Sequence, residues 1–407
     1  MGSIQTKTLG NGLIYTIKNP FNNSIIYTKS NDPDIIQFFS ISDGKYSEYK
    51  YPDTNYSNFL NSNIVYFSDI KLNPTTNQPD IITIGLTNNQ NSKEIKYYYP
   101  TNNQRTSWAN LKFPSGNLYF SGNNSPVEVT AAYNCKFDYD KDTKQMIIHS
   151  HANTTDMSNK YGSFLFKKDL IGSGYVYYNT PYSGDNQAAS DFKVNPITKQ
   201  YSLVVANRTV NIYSPASEGG LIYYEMNPST NNWTKTSIEP TVSQLARIDL
   251  NFKSNGYPIT AYRTTSGQAD ILKIAEYDGS NWTTTVVHSG QYSSSNSSLY
   301  YFNFKYNSAE NYYGIALLDN VTYAPNKSGI YITNKGGTIK KYSWNHSGNN
   351  YGIFGLIFKE YKGETRPFIL RHDFPYNDII YLENEKLVTG EFLNTLDYTM
   401  APETSIT

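Results

Sequence analysis

Four tryptophans fall at one place in a repeated element, and that regularity is the first chemical signal in the sequence. Turns rich in Asn, Pro, Thr and Gln begin at positions 17, 72, 139, 194, 252, 306 and 358. Trp108, Trp233, Trp282 and Trp344 lie 36, 39, 30 and 38 residues after the second, fourth, fifth and sixth of these turns. An indole face can stack on the C–H face of a pyranose, and it can equally fill the space between adjacent sheets. A second set, Asp69, Lys136, Asp191, Asp249 and Asn303, stands three positions before a turn. A third set, Lys29, His151 and Arg263, stands five positions after one, with Arg208 and Arg371 close to that register. Carboxylates beside cationic and imidazole groups suit a polar ligand. The same carboxylates could instead tie one sheet to the next by accepting backbone N–H groups.

Other chemical signals are sparse. His149 and His151 are two apart and share a strand face, which is half of a metal site with no third ligand in view. The single Cys135 lies in an apolar strand run and reads as a small core residue; no internal disulfide is possible. The sequence has no Gly-rich phosphate loop, no Gly-x-Ser-x-Gly elbow and no His-Glu-x-x-His. No cofactor or metal is therefore expected. Asn207, Asn232 and Asn281 open Asn-x-Ser/Thr sequons, which matter only in a eukaryotic secretory route.

The elements that must position these residues follow from the spacing of the turns. Successive turns are 52 to 67 residues apart, so one supersecondary element recurs seven times along the 407 residues. The fifth repeat is the clearest. IDLNFK at 248–253 alternates apolar and polar residues, SNGYP turns the chain, and ITAY follows as a second strand. RTTSGQAD reads as a polar loop, ILKIAEY as a third strand, DGSN as a hairpin turn and WTTTVV as a β-branched fourth strand. The tryptophans then belong to outer, fourth strands. Helical periodicity is absent at useful length. The expected fold is all-β: a seven-bladed β-propeller of four antiparallel strands per blade in one domain, 1–407. The blades would cover 10–66, 67–133, 134–188, 189–245, 246–300, 301–352 and 353–398. A β-solenoid and paired sandwiches are the competing architectures. In a propeller the Asn/Pro turns share one face and the long crossovers, 109–133 and 289–301, share the other, where binding residues would collect.

Composition narrows the partners. Lys plus Arg equals Asp plus Glu, at 34 each, so no excess positive charge is available for nucleic acid. No apolar run is long enough for a transmembrane helix. The opening MGSIQTKTLG has neither the basic region nor the apolar stretch of a signal peptide, so a leader is either absent or removed. The chain holds 39 Tyr and only 17% charged residues, a polar and uncharged surface of the kind that meets neutral glycans.

The stretch SNGYPITAYRTTSGQADILKIAEYDGSNWTTTVV at 254–287 resembles the degenerate repeats of bacterial seven-bladed propellers. That family includes fucose-binding lectins of insect-pathogenic bacteria, and the fourth repeat shares the plan. The resemblance implies a secreted or extracellular protein with sugars bound between blades and several equivalent sites. Three functions stand open. The first is a non-catalytic lectin-like module for a carbohydrate or glycoconjugate. The second is a hydrolase or lyase at the central axis, resting on the Asp and Arg/His sets near that axis, with Asp191 and Asp249 the carboxylates to test. The third is a recognition module of a toxin or phage particle for a host-surface protein.

Overall fold

The computed structural model describes residues 17–18, 24–28, 35–40, 46–50, 65–76, 79–86, 93–101, 108–112, 129–140, 142–154, 161–168, 175–178, 183–184, 190–207, 220–242, 248–266, 269–291, 302–319, 327–346, 351–361, 363–373 and 376–389. These residues form antiparallel strands in seven sheets, with no α-helix among them.

Sheet one holds β1 (Ile17–Lys18), β2 (Ser24–Thr28), β3 (Ile35–Ser40) and β4 (Tyr46–Lys50). Sheet two holds β5 (Val65–Leu72), β6 (Pro79–Leu86), β7 (Lys93–Pro100) and β8 (Trp108–Lys112). Sheet three holds β9 (Val129–Tyr139), β10 (Met146–Thr154), β11 (Tyr161–Lys168) and β12 (Tyr175–Tyr178), with β13 (Ser183–Gly184) paired to β11. Sheet four holds β14 (Ser190–Val194), β15 (Tyr201–Asn207), β16 (Gly220–Asn227) and β17 (Asn232–Glu239). Sheet five holds β18 (Ile248–Phe252), β19 (Pro258–Ser266), β20 (Ala269–Tyr277) and β21 (Trp282–Gln291). Sheet six holds β22 (Phe302–Asn307), β23 (Tyr312–Asp319), β24 (Lys327–Thr333) and β25 (Lys340–His346). Sheet seven holds β26 (Tyr351–Tyr361), β27 (Glu364–Asp373), β28 (Tyr376–Glu383) and β29 (Lys386–Thr389). Within every sheet the strands lie in chain order, and each of the seven turns read from the sequence falls where a first strand meets a second.

The turn chemistry explains why the chain reverses there. Asn73 Oδ1 accepts the N–H groups of Thr75 and Thr76 at 2.9 and 3.1 Å. Asp140 Oδ1 does the same for Asp142 and Thr143, and Asn195 Oδ1 for Ile197 and Thr198. A side-chain oxygen two or three residues back thus stands in for a backbone acceptor, the standard use of Asn and Asp in turns. The last two of these loops close with Lys144 and Lys199 at φ 59° and 62°, a left-handed conformation that L-residues visit at a cost of about 1 kcal/mol.

One expectation changes in sheet five. RTTSGQAD is not a loop: β19 runs on through Ser266 and β20 starts at Ala269. The reason is that Thr264 and Thr265 are β-branched and buried at 5% and 8% exposure, so they extend the strand.

The chain divides into two compact units, residues 55–265 with 273–285, and residues 1–54 with 266–272 and 286–407. In the first unit the sheets are joined by apolar clusters. Phe192, Tyr201 and Leu203 of sheet four pack with Ile147 of sheet three. Val204, Leu221 and Tyr223 of sheet four pack with Leu250 and Tyr262 of sheet five. In the second unit Ala316 and Tyr331 of sheet six pack with Leu356, Ile369 and Ile380 of sheet seven. Neither face of these sheets could be buried alone; each takes its cover from the neighbouring sheet.

Candidate functional site

Two clusters in the first unit gather polar side chains across sheets. The first lies on the opening strands β9, β14 and β18, where alternate residues are Lys136 and Asp138, Asp191 and Lys193, and Asp249 and Asn251. Lys136 Nζ is 4.0 Å from Asp191, and Lys193 Nζ is 3.9 Å from Asp191 and 3.4 Å from Asp249. Lys193 also donates to the Leu250 carbonyl. Asp191 is 3% exposed and accepts the Leu250 N–H at 2.7 Å, while Asp138 accepts the Val194 N–H at 2.9 Å. Burial holds the Asp191 carboxyl above its ordinary range; Lys193 and Lys136 oppose that shift and Asp249 adds to it. Asp138 and Asp191 each bond an edge N–H of the next sheet, so this part of the row stitches sheets three, four and five together.

The second cluster lies in the seam between sheets four and five. The Asn195 cap holds its own turn, and its Nδ2 donates to the Gly256 carbonyl at 2.9 Å. Gly256 has φ +85°, and a Cβ there would lie 2.9 Å from Ile197 Cβ, so glycine lets the two turns meet. Behind them, Tyr223 Oη donates to Glu225 at 3.1 Å and lies 2.9 Å from Ser202 Oγ. The Gln200 amide, with its nitrogen toward the carboxylate, donates to both Glu225 oxygens at 2.9 and 2.7 Å. Burial raises the Glu225 carboxyl above its ordinary range, against the pull of Tyr223, Asn195 and Ser202. An aromatic row runs alongside. Tyr223 and Trp282 have ring centroids 5.5 Å apart, Trp282 and Tyr277 5.3 Å, and Tyr277 and Tyr257 6.0 Å. Tyr257 is 38% exposed, and Trp282, Tyr277 and Glu225 are half-buried. At the rim, Lys253 pairs with Glu276 at 2.7 Å, and Asp278 caps the hairpin N–H groups of Ser280 and Asn281. Half-exposed rings beside a carboxylate, amides and a hydroxyl offer stacking faces and hydrogen-bond acceptors to one small polar ligand.

The residues singled out from the sequence are dispersed. The structure brings Asp191, Asp249 and Lys136 together. Trp282 joins the seam. Trp233 meets Tyr224 edge-on at 6.4 Å beside the core of sheet four. Trp344 is 8% exposed and lies over Gly329, where any Cβ would run into the indole. Arg263 is 1% exposed in β19, and Asn303 is half-buried opposite Ala316. Asp69 pairs with Ile82, Trp108 with Pro100, His151 with Tyr133 and Ser163, and Arg371 with Ile353; their side chains lie outside the described ones. Arg208 and Lys29 lie outside the described residues. His149 is buried and stacks on Phe192 at 6.1 Å. No group of three His, Cys, Asp or Glu suited to a metal occurs among the described residues. Sequence reasoning missed Glu225, Tyr257 and Tyr277. The signal available was the Tyr-x-Glu alternation in LIYYEMN, which puts Tyr223 and Glu225 on one face.

No protein-family model and no curated protein matches the chain. Solved structures do. A polysaccharide lyase of family PL25, an ulvanlyase bound to -[GlcA(1-4)Rha3S]-, superposes with TM-score 0.55 at 10% identity, over 97% of this chain and 98% of that one. Polysaccharide lyase Uly1 gives 0.51 at 11% identity, over 96% and 93%. The six-bladed β-propeller fucose lectin of Aleuria aurantia gives 0.41 at 10% identity, over 82% and 96%, too low a score to carry weight. At these identities the likeness to the two lyases is one of fold.

Proposed function

We propose that the chain is a seven-bladed β-propeller that binds glycan in the seam between its fourth and fifth blades, without catalysis. The observation that carries this reading is the half-exposed Trp282–Tyr277–Tyr257 row standing beside Glu225 and its amide and hydroxyl donors. Rings of this kind cover the apolar face of a pyranose, and the polar groups meet its hydroxyls. The whole-chain likeness to two polysaccharide lyases supports a scaffold used on glycans elsewhere. The balance of 34 basic and 34 acidic residues supports a ligand that needs no large opposite charge.

A lyase or hydrolase working from Asp191 and Asp249 is the second reading, and the raised Asp191 carboxyl favours it. The lectin reading stands ahead because Asp191 is engaged with two lysines and the Leu250 N–H, and Asp249 with Lys193.

Glycan-array binding, followed by calorimetry on the array's best binder, tests the proposal. Trp282→Ala should weaken binding by at least about tenfold, and Trp233→Ala should leave it within about twofold. Equal loss from both variants would remove the seam from the function. Release of unsaturated or reducing ends from polysaccharides, abolished by Asp191→Asn, would establish the enzymatic reading instead. A crystal structure with other than seven blades would overturn the architecture.

A further inference from the structure

The seam is rich in carboxylates. Glu225 is a half-buried carboxylate at the centre of the polar side, held by Tyr223 at 3.1 Å and Gln200 at 2.9 and 2.7 Å. Two ammonium groups among the described residues stand at this seam: Lys253 is taken up by Glu276 at 2.7 Å and Lys273 by Glu239 of sheet four at 2.6 Å. Asp278 adds a further carboxylate on the hairpin that carries Trp282. Among these seam residues four carboxylates therefore face two lysines, and both lysines are already paired.

We propose that Glu225 is the specificity-determining residue of the seam, accepting hydroxyl donors of an uncharged sugar and turning away sugars that carry carboxylate or sulfate. This rests on the glycan-binding reading above. Two like charges held within about 5 Å in a partly desolvated seam repel more strongly than in water. Discrimination against an anionic ligand can be built from such repulsion as readily as from attraction. A neutral pyranose loses nothing, because its hydroxyls donate to the carboxylate in charge-assisted hydrogen bonds. The PL25 ulvanlyase shares the scaffold and was solved with a uronate- and sulfate-bearing sugar, so fold likeness gives no guide to ligand charge here.

The test uses the full chain on an array of neutral glycans (fucosyl, galactosyl, mannosyl and glucosyl) and anionic ones (sulfated, uronate-bearing and sialylated). The expected wild-type pattern is binding to neutral glycans with at least about tenfold preference over matched anionic ones. Glu225→Gln keeps the shape and an acceptor oxygen. It should hold neutral binding within about fivefold and shrink the preference to about twofold. Should that variant fold poorly, the wild type supplies a second measurement: raising salt from 50 to 500 mM should improve the relative binding of anionic glycans. Anionic glycans bound as tightly as neutral ones, and lost in Trp282→Ala, would overturn the proposal while leaving the seam as the binding site. A preference unchanged in Glu225→Gln would overturn it too. Binding to no glycan of either class would remove the parent reading and this one together.

Discussion

Asp140 shows how one side chain can close a turn and join two sheets. Its Oδ1 caps the turn N–H groups of Asp142 and Thr143, and its Oδ2 accepts the Tyr201 hydroxyl of sheet four at 3.0 Å. Burial raises the carboxyl, but the Thr143 N–H, the Tyr201 hydroxyl and the Asp142 N–H together outweigh it and hold the group below its ordinary range. A lowered folded value stabilises above the unfolded value, near about 3.9, and that stability is lost as pH falls through the folded value. Asp140→Asn keeps the turn, as Asn73 and Asn195 do in their own repeats, and discards the charge. The variant should lose about 1 kcal/mol at pH 7, with the difference from wild type shrinking as pH falls below about 4 in urea unfolding. Tyr223 gives a residue-scale check on the seam. Tyr223→Phe removes a donor to Glu225 and a partner of Ser202 while keeping the ring against Trp282. Glycan affinity should fall by about fivefold in calorimetry, less than for loss of Trp282.

At the scale of elements, one register position carries a tyrosine in three of the sheets. Tyr97 opposite Ile82, Tyr223 opposite Val204 and Tyr331 opposite Ala316 occupy one register position in sheets two, four and six. The matching positions in sheets three and seven hold Leu165 opposite His149 and Ile379 opposite Leu370. All three tyrosines are buried, and burial raises each phenol well above its ordinary range. The first two also have polar groups within reach: Asp80 and Tyr139 for Tyr97, and Ser202 and Glu225 for Tyr223. Only from the paired registers does this shared position emerge, since the turns do not distinguish these sheets. Two glycines fix where strands begin and turns meet. Gly220 opens β16 at φ +121°, where a Cβ would run into the Glu239 carbonyl. Gly220→Ala should cost about 3 kcal/mol, combining left-handed strain with a clash against backbone. Gly256→Ala has Ile197 side chain as its nearest obstacle, which can shift, and should cost about 1 to 2 kcal/mol. Thermal unfolding of the two variants checks the order.

For the whole molecule, charge balance makes a claim that structure does not alter. With 34 residues of each sign, the chain should pass through heparin–agarose at 150 mM salt without retention, and it should not bind duplex DNA by mobility shift. Retention would mean that basic residues collect on a face that the sum conceals. Among the described residues no helix is long and apolar enough to cross a membrane.

The sequence by itself determined the all-strand plan, the seven turns and the residues that cap them. Those features rest on interactions between near neighbours: the two-residue period of a strand, and an Asn or Asp oxygen reaching N–H groups two and three residues on. Only the tertiary structure decided that Asp191 bonds Leu250 of another sheet, that Arg263 is buried, and that Glu225 stands in the seam with Trp282. The partners in those contacts lie about 50 residues or more apart, on different strands, so their meeting depends on how each sheet registers against the next. A one-residue slip of a strand within its own sheet would also turn its side chains to the opposite face, away from these partners.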